Sequence, residues 1–131
     1  MFCAEALVVI VRLNPRYGEK VMTTYIAQGH YSREAIRGML LKPEDREPAV
    51  AKLFEMVGGR LLAWYFTVDE NGWVLIAEAP DEKAMSAAMI VVMAGGGITD
   101  MKTIAVLTSQ QLVEAFNAAG EVSSFKSASQ E

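Results

Sequence analysis

Two short runs in the middle of the chain, on either side of Asn71-Gly72, combine apolar and polar residues with a strand-like alternation. Residues 60–68 read RLLAWYFTV and residues 73–79 read WVLIAEA. Asn-Gly between two such runs is a strong hairpin signal, because both residues accept positive φ. A two-residue loop then places Tyr65 opposite Glu78 and Thr67 opposite Ile76. The pattern predicts a hairpin around which the other elements are arranged.

The other elements follow from helical and strand periodicity. Strands are predicted at 22–30 and 99–108, and helices at 33–41, from about 46 to 57, from about 80 to 93, and at 110–118. Ser32 suits an N-cap, Pro43 interrupts the first helical stretch, and Gly58 suits a left-handed cap. The predicted fold class is α+β, a ferredoxin-like βαββαβ unit with a four-stranded antiparallel sheet, followed by a terminal helix.

Both faces of the predicted hairpin carry large apolar side chains. One face holds Tyr65, Ile76 and Glu78, and the other holds Trp64 and Trp73. The helices cover only one face, so the other needs a second cover. We expect the aromatic face to lie under the helices and Glu78 to face the sheet of a second copy, forming a dimeric α/β barrel.

The domain proper is predicted to span residues 22–119. Residues 1–21 include the apolar run 6–11 and are either an extra edge strand or an extension upstream of a start at Met22. Residues 120–131 are rich in Ser, Ala and Gln, have no apolar period, and are expected to be a disordered tail.

Composition narrows the class of protein. Of 131 residues, 52% are hydrophobic, which is rich for a small monomer and favours a subunit interface. A net charge of −4 argues against nucleic acid as a partner. The apolar run 6–11 is too short to cross a membrane. The single cysteine, Cys3, fits a reducing compartment, and we expect a cytoplasmic protein.

Several stretches also resemble one known family. Residues 52–60 (KLFEMVGGR), the aromatic strand 64–66 (WYF) and residues 74–81 (VLIAEAPD) look like the GYD-domain proteins, and the similarity extends from Thr24 to Thr108. The namesake Gly-Glu-Tyr-Asp of that family stands here as Asp-Glu-Asn-Gly at 69–72, which keeps only Glu70. The resemblance implies a dimeric α/β barrel and no defined activity.

Five polar residues are candidates for a binding pocket between two sheets. The candidate ligand-binding residues are Gln28, His30, Tyr65, Thr67 and Glu78, of which His30, Glu78 and Tyr65 are also catalytic candidates. His30 is the only histidine, and with Glu78 it offers an acid/base pair. In the alternative interpretation, His30 is a surface residue and Glu78 pairs with Lys or Arg at a subunit contact. The spacing predicts no metal site.

Three functions remain open at the level of sequence. The first is an oligomeric barrel, a homodimer or higher oligomer through the sheet face, that binds a small apolar metabolite. The second is a small cofactor-independent enzyme, of isomerase or monooxygenase type, acting on an apolar or aromatic compound. The third is a structural assembly module. No cofactor is expected for any of them.

Overall fold

The computed structural model describes residues 21–126 and 128, so the predictions for residues 1–20 lie outside the described residues. The elements, in chain order, are β1 (Thr23–Tyr31), α1 (Arg33–Leu41), α2 (Glu47–Met56), β2 (Arg60–Thr67), β3 (Gly72–Ala79), α3 (Glu82–Ala94), β4 (Ile98–Val106) and α4 (Ser109–Glu121). The helix α4 includes the first two residues of the tail that the sequence pattern predicts to be disordered.

The four strands form one antiparallel sheet in the order β2-β3-β1-β4. The two central strands, β1 and β3, are not consecutive in the chain, which is the ferredoxin-like arrangement. The predicted fold class is therefore confirmed. The edge strand β2 contains a bulge between Leu61 and Ala63, where its register against β3 shifts.

The core lies between one face of the sheet and the helices α2 and α3. Strand residues alternate, so Tyr25, Ala27, Trp73, Leu75 and Ala77 share the helix-facing side and are all buried. Helix α2 contributes Phe54, and α3 contributes Met85, Ala88 and Met89, to the same cluster. The prediction that the aromatic face of the hairpin lies under the helices is correct for Trp73 and for Trp64, which is partly buried against the same cluster.

Local capping explains where the helices begin. The hydroxyl of Ser32 accepts a hydrogen bond from the amide of Ala35 at 3.1 Å, and that of Thr108 accepts one from Gln111, also at 3.1 Å. Each bond satisfies an amide that lacks an intrahelical partner. Gly58 follows α2 with φ of +83°, the left-handed conformation expected for it.

The hairpin loop is wider than predicted. Thr67 pairs with Gly72 and Tyr65 with Val74, so residues 68–71 form the loop. Asn71 has the positive φ of 50°, but Gly72 belongs to the strand. A Cβ at Gly72 would lie only 2.3 Å from the carbonyl oxygen of Gly29. Gly72 therefore permits a close approach between strands, rather than a tight turn.

Candidate functional site

The predicted site residues all lie on one face of the sheet. We call the side of the sheet that faces away from α2 and α3 the open face, because no described helix packs buried residues against it. Strand alternation and the register assign to it Thr24, Ile26, Gln28 and His30 of β1, Tyr65 and Thr67 of β2, Val74, Ile76 and Glu78 of β3, and Asp100, Lys102 and Ile104 of β4. The sequence pattern assigned Tyr65 and Glu78 to this face correctly.

The predicted contact between Tyr65 and Glu78 is wrong. Tyr65 lies opposite Val74, and Glu78 lies opposite Arg60. A guanidinium nitrogen of Arg60 is 3.2 Å from a carboxylate oxygen of Glu78, with side chains that are 69% and 26% exposed. Glu78 thus pairs with a basic residue, as in the alternative interpretation, although this partner belongs to the same chain rather than to a second subunit. An ion pair of this exposure contributes little to stability.

The expected acid/base pair is also separated along the sheet. Glu78 pairs with Thr24 and His30 pairs with Gly72, at opposite ends of β1 and β3. His30 is six positions beyond Thr24, a distance of about 20 Å along the strand at roughly 3.3 Å per residue. His30 and Glu78 consequently cannot act together on one small molecule.

Apart from Glu78, the four candidate residues lie in two neighbouring rows that run across the strands. Thr67 and His30 flank Gly72 in one row, and Tyr65 and Gln28 flank Val74 in the next. Tyr65 is 63% exposed, and the hydroxyl oxygen of Thr67 is buried without a hydrogen-bond partner among the described residues. These side chains form a polar end of the open face, next to the hairpin loop.

His30 is held between two carboxylates at this polar end. Its Nδ1 donates a hydrogen bond to Oδ1 of Asp100 at 2.8 Å, and its Nε2 lies 3.6 Å from Oε2 of Glu70. The bond to Asp100 is the largest influence raising the pKa of His30 above 6.5. The same bond, supported by the hydroxyl of Thr99 at 3.1 Å, lowers the pKa of Asp100 below 3.8.

A cavity on the opposite side of the sheet is not predicted by the sequence pattern. We call it the helix-side cavity: it has a volume of about 370 Å³ and lies between the sheet, α2 and α3. Its lining is mainly apolar and includes Val50, Leu53, Trp64, Trp73, Leu75, Val92 and Ile98. The sequence indicates only a helix end for the glycines that follow α3, yet Gly95 and Gly97 also line this cavity.

One buried polar group belongs to a residue of this lining. Trp73 is 3% exposed, and its indole Nε1–H has no hydrogen-bond partner among the described residues. An unpaired buried donor costs about 1–3 kcal/mol relative to a paired one. From the sequence, Trp73 is recognisable only as a core residue on the helix-facing side of a strand, and the missing partner of its N–H is not.

Tyr31 and Arg46 line the same cavity. The ring of Tyr31 stacks on that of Phe66 with centroids 6.4 Å apart, and burial raises the pKa of its hydroxyl above 10.0. The guanidinium of Arg46 donates a hydrogen bond to the carboxylate of Glu44 at 3.0 Å. The positive charge of Arg46 is thereby already paired.

The described part of the chain contains neither a metal-binding cluster nor a membrane-spanning helix. Residues 21–126 contain no cluster of three or more His, Cys, Asp or Glu side chains suited to a metal ion. In the same region, no helix has the length and apolar character needed to cross a membrane.

Comparison with known proteins identifies a family. A family model described as GYD domain matches residues 25–116, a range that begins in β1 and ends in α4. This range contains the helix-side cavity and the polar end of the open face. Neither the curated proteins nor the solved structures gave a match.

Proposed function

The chain belongs to the GYD-domain family, as its resemblance predicts, and we propose that it is a homo-oligomer that binds a small apolar molecule. The observation that carries this proposal is the helix-side cavity. Its volume of about 370 Å³ falls within the roughly 300–1,000 Å³ that is usual for ligand pockets. A mainly apolar lining with a few polar groups is also the usual composition of such pockets.

The oligomer is proposed to form through the open face. Its third row across the strands consists of Ala63, Ile76, Ile26 and Ile104, all apolar, and Ile104 is 44% exposed. A second copy that places the same row against this one removes apolar surface from water on both sides. Two sheets packed in this way are the dimeric α/β barrel expected from the sequence. Gln28, His30, Tyr65 and Thr67 then lie at the border of the interface.

Binding is tested by a thermal-shift screen against a panel of small apolar and aromatic molecules. A ligand that binds only the folded protein raises the melting temperature as its concentration exceeds Kd. The cavity is tested with Val92→Phe, which fills part of it, and the control is Ile90→Phe on the same helix, where the side chain is 58% exposed.

The expected result is a shift in the wild-type protein and in the Ile90→Phe variant, and a much smaller shift in the Val92→Phe variant. Each variant is compared with its own melting temperature without ligand. If no molecule of the panel raises the melting temperature, small-molecule binding is refuted and the structural assembly module is favoured. If Val92→Phe responds like the wild type, the cavity is not the site.

A second function, that of a small cofactor-independent enzyme, is favoured by the His30–Asp100 hydrogen bond. A carboxylate that binds Nδ1–H fixes the ring and directs Nε2 towards a reacting group. In this proposal His30 moves a proton to or from a molecule at the polar end of the open face. Turnover of a bound compound that is lost in His30→Gln and kept in Glu78→Gln supports this function, and loss in both variants contradicts it.

A further inference from the structure

We infer that the helix-side cavity takes the apolar body of a molecule that ends in one carboxylate, and that the carboxylate lies beside Lys42 in a second, adjoining cavity. The inference rests on the proposed function and adds the chemical class of the ligand. Three observations carry it: the lining that the two cavities share, the charges around the second cavity, and the exposure of those charges to water.

The second cavity lies beside α1, and we call it the basic cleft. It has a volume of about 300 Å³. Its lining consists of Tyr31 at the end of β1, Ala35, Gly38 and Met39 of α1, Lys42, Glu44 and Arg46 of the link to α2, and Gly97 after α3. Three of these residues, Tyr31, Arg46 and Gly97, also line the helix-side cavity. The two cavities therefore meet along residues from three separate segments, and one elongated molecule can extend from one cavity into the other.

The charges around the basic cleft favour an anion. Its lining carries two positive side chains, Lys42 and Arg46, and one negative side chain, Glu44. Arg46 donates to Glu44 at 3.0 Å, whereas Lys42 belongs to no ion pair among the described residues. The whole chain has a net charge of −4, so the local excess of positive charge is opposite in sign to that of the protein. Such a local field attracts an anionic group.

Tyr31 and Arg46 lie where the apolar space meets the charged one. Burial raises the pKa of the Tyr31 hydroxyl above 10.0, and the positive charge of Arg46 acts on the same hydroxyl in the opposite direction. The hydroxyl is therefore protonated at neutral pH and adds no negative charge beside the guanidinium. On the other side of this boundary, Arg46 is the only ionised side chain among the described residues that line the helix-side cavity. The charge of a ligand is consequently expected at one end, and not along its body.

Exposure keeps the cost of holding a carboxylate in the basic cleft low. The side chain of Arg46 is 41% exposed, that of Glu44 is 52% exposed, and Lys42 is exposed as well. A carboxylate at this position keeps part of its hydration, which the apolar lining of the helix-side cavity would remove. A solvent-exposed ion pair is weak, so the contact of Arg46 with Glu44 can give way to a ligand at small cost.

The test compares three probes that share one ring system and differ in charge: 2-naphthylacetate, 2-naphthylacetamide and 2-(2-naphthyl)ethylammonium. Titration calorimetry gives Kd for each probe. We expect the acetate to bind about tenfold more tightly than the neutral amide, because bonds to a charged group are stronger, and the ammonium to bind most weakly.

The position of the carboxylate is tested with Lys42→Gln, which removes the unpaired positive charge of the cleft. We expect the preference for the acetate over the amide to fall about fivefold, the upper range for an exposed ion pair, and the Kd of the amide to stay nearly unchanged. The matched control is Lys83→Gln, which removes the same charge from an exposed position in the first turn of α3. β3 ends opposite Thr23 whereas the cleft lies beside Tyr31, so Lys83 is at the other end of the sheet and the control should keep the preference.

The position of the body is tested with Val92→Phe in the wall of the helix-side cavity. This variant should weaken the acetate and the amide by a similar factor, because both carry the same rings. If Val92→Phe fails to fold, nuclear Overhauser contacts between the naphthyl protons and the indole protons of Trp64, one of two tryptophans in the chain, locate the body in the wild-type protein.

The outcomes separate this inference from the proposed function. Equal binding of the acetate and the amide, or tighter binding of the ammonium, overturns the anionic class of ligand and leaves small-molecule binding intact. An equal loss in Lys42→Gln and Lys83→Gln overturns the basic cleft as the place of the carboxylate. Absence of binding by all three probes, and by the wider panel, refutes the proposed function and the inference together.

Discussion

His30 and Asp100 are 70 positions apart in the chain, yet Nδ1 of the first lies 2.8 Å from Oδ1 of the second. The sheet brings them together, because β1 and β4 are neighbours and these two residues are paired in their register. Glu70, in the loop between β2 and β3, approaches the other ring nitrogen at 3.6 Å. The polar end of the open face is thus assembled from three separate segments.

Replacing Asp100 with Asn is expected to lower the pKa of His30 towards 6.5. The hydrogen bond from Asp100 is the main cause of the raised pKa, and an amide does not stabilise the imidazolium in the same way. Proton NMR measures this directly, because the chain has one histidine and its ring C–H signals are therefore assigned without ambiguity. Glu70→Gln should lower the pKa by less, and a larger effect from Glu70 than from Asp100 would contradict the geometry.

The same pair gives a pH dependence of stability whose sign follows from the two shifts. A raised pKa in the folded state makes the His30 contribution complete below pH 6.5 and removes it as pH rises through the shifted value. The lowered pKa of Asp100 makes its contribution complete above pH 3.8 and removes it as pH falls through the shifted value. The difference in melting temperature between wild type and Asp100→Asn should therefore be largest between these two pH values.

The hairpin illustrates what the sequence predicts and what it leaves open. The predicted partner of Tyr65 was Glu78 and the observed one is Val74, four residues away along β3. An even displacement keeps the side chains from Ala63 to Thr67 on their predicted faces, since strand residues alternate with period two, and only Arg60 and Leu61, beyond the bulge, change face. Between the bulge and the loop the faces are therefore predicted correctly and the neighbours are not. Gly72 lies in the strand, where a Cβ would meet the carbonyl of Gly29, and such an approach between strands is not visible in a local motif.

Two glycine-to-alanine substitutions are expected to change stability in opposite directions. Gly58 has φ of +83°, where a Cβ is strained, so Gly58→Ala should lower the free energy of unfolding by about 1–2 kcal/mol. Gly38 lies inside α1, and nothing from the rest of the described fold comes within 4 Å of where a Cβ would stand. Gly38→Ala should therefore raise the free energy of unfolding by about 0.5–1 kcal/mol. Urea denaturation measures both, and the same sign for both variants would contradict the assigned backbone conformations.

The proposed oligomer is tested by placing a charge in the apolar row of the open face. Ile76→Lys introduces an ammonium group that a second copy would have to bury. Burying an unpaired charge costs roughly 3 kcal/mol, which weakens association about a hundredfold. Analytical ultracentrifugation at micromolar concentration should show a monomer. The control Ile90→Lys alters an exposed isoleucine of α3 and should keep the wild-type mass. A wild-type protein that is monomeric under these conditions refutes the proposal.

The helix-side cavity could not be predicted from sequence for a different reason. Most of its lining comes from α2, β2, β3 and α3, and the apolar side chains that these elements contribute fit an ordinary core pattern. Periodicity reports which side chains face inward, but it does not report whether the inward side chains fill the space between them. The unpaired N–H of Trp73 is likewise a property of the packed structure, because it depends on which neighbours the fold brings to the indole.

The bulge in β2 has a consequence for how far association extends. β2 is an edge strand, and an extra residue between Leu61 and Ala63 disrupts the even spacing of its free amide and carbonyl groups. An interrupted edge is a poor template for a strand from another molecule, so end-to-end growth of a continuous sheet is disfavoured. In the proposed oligomer, growth into filaments through this edge is thereby opposed, and closed, countable particles are favoured.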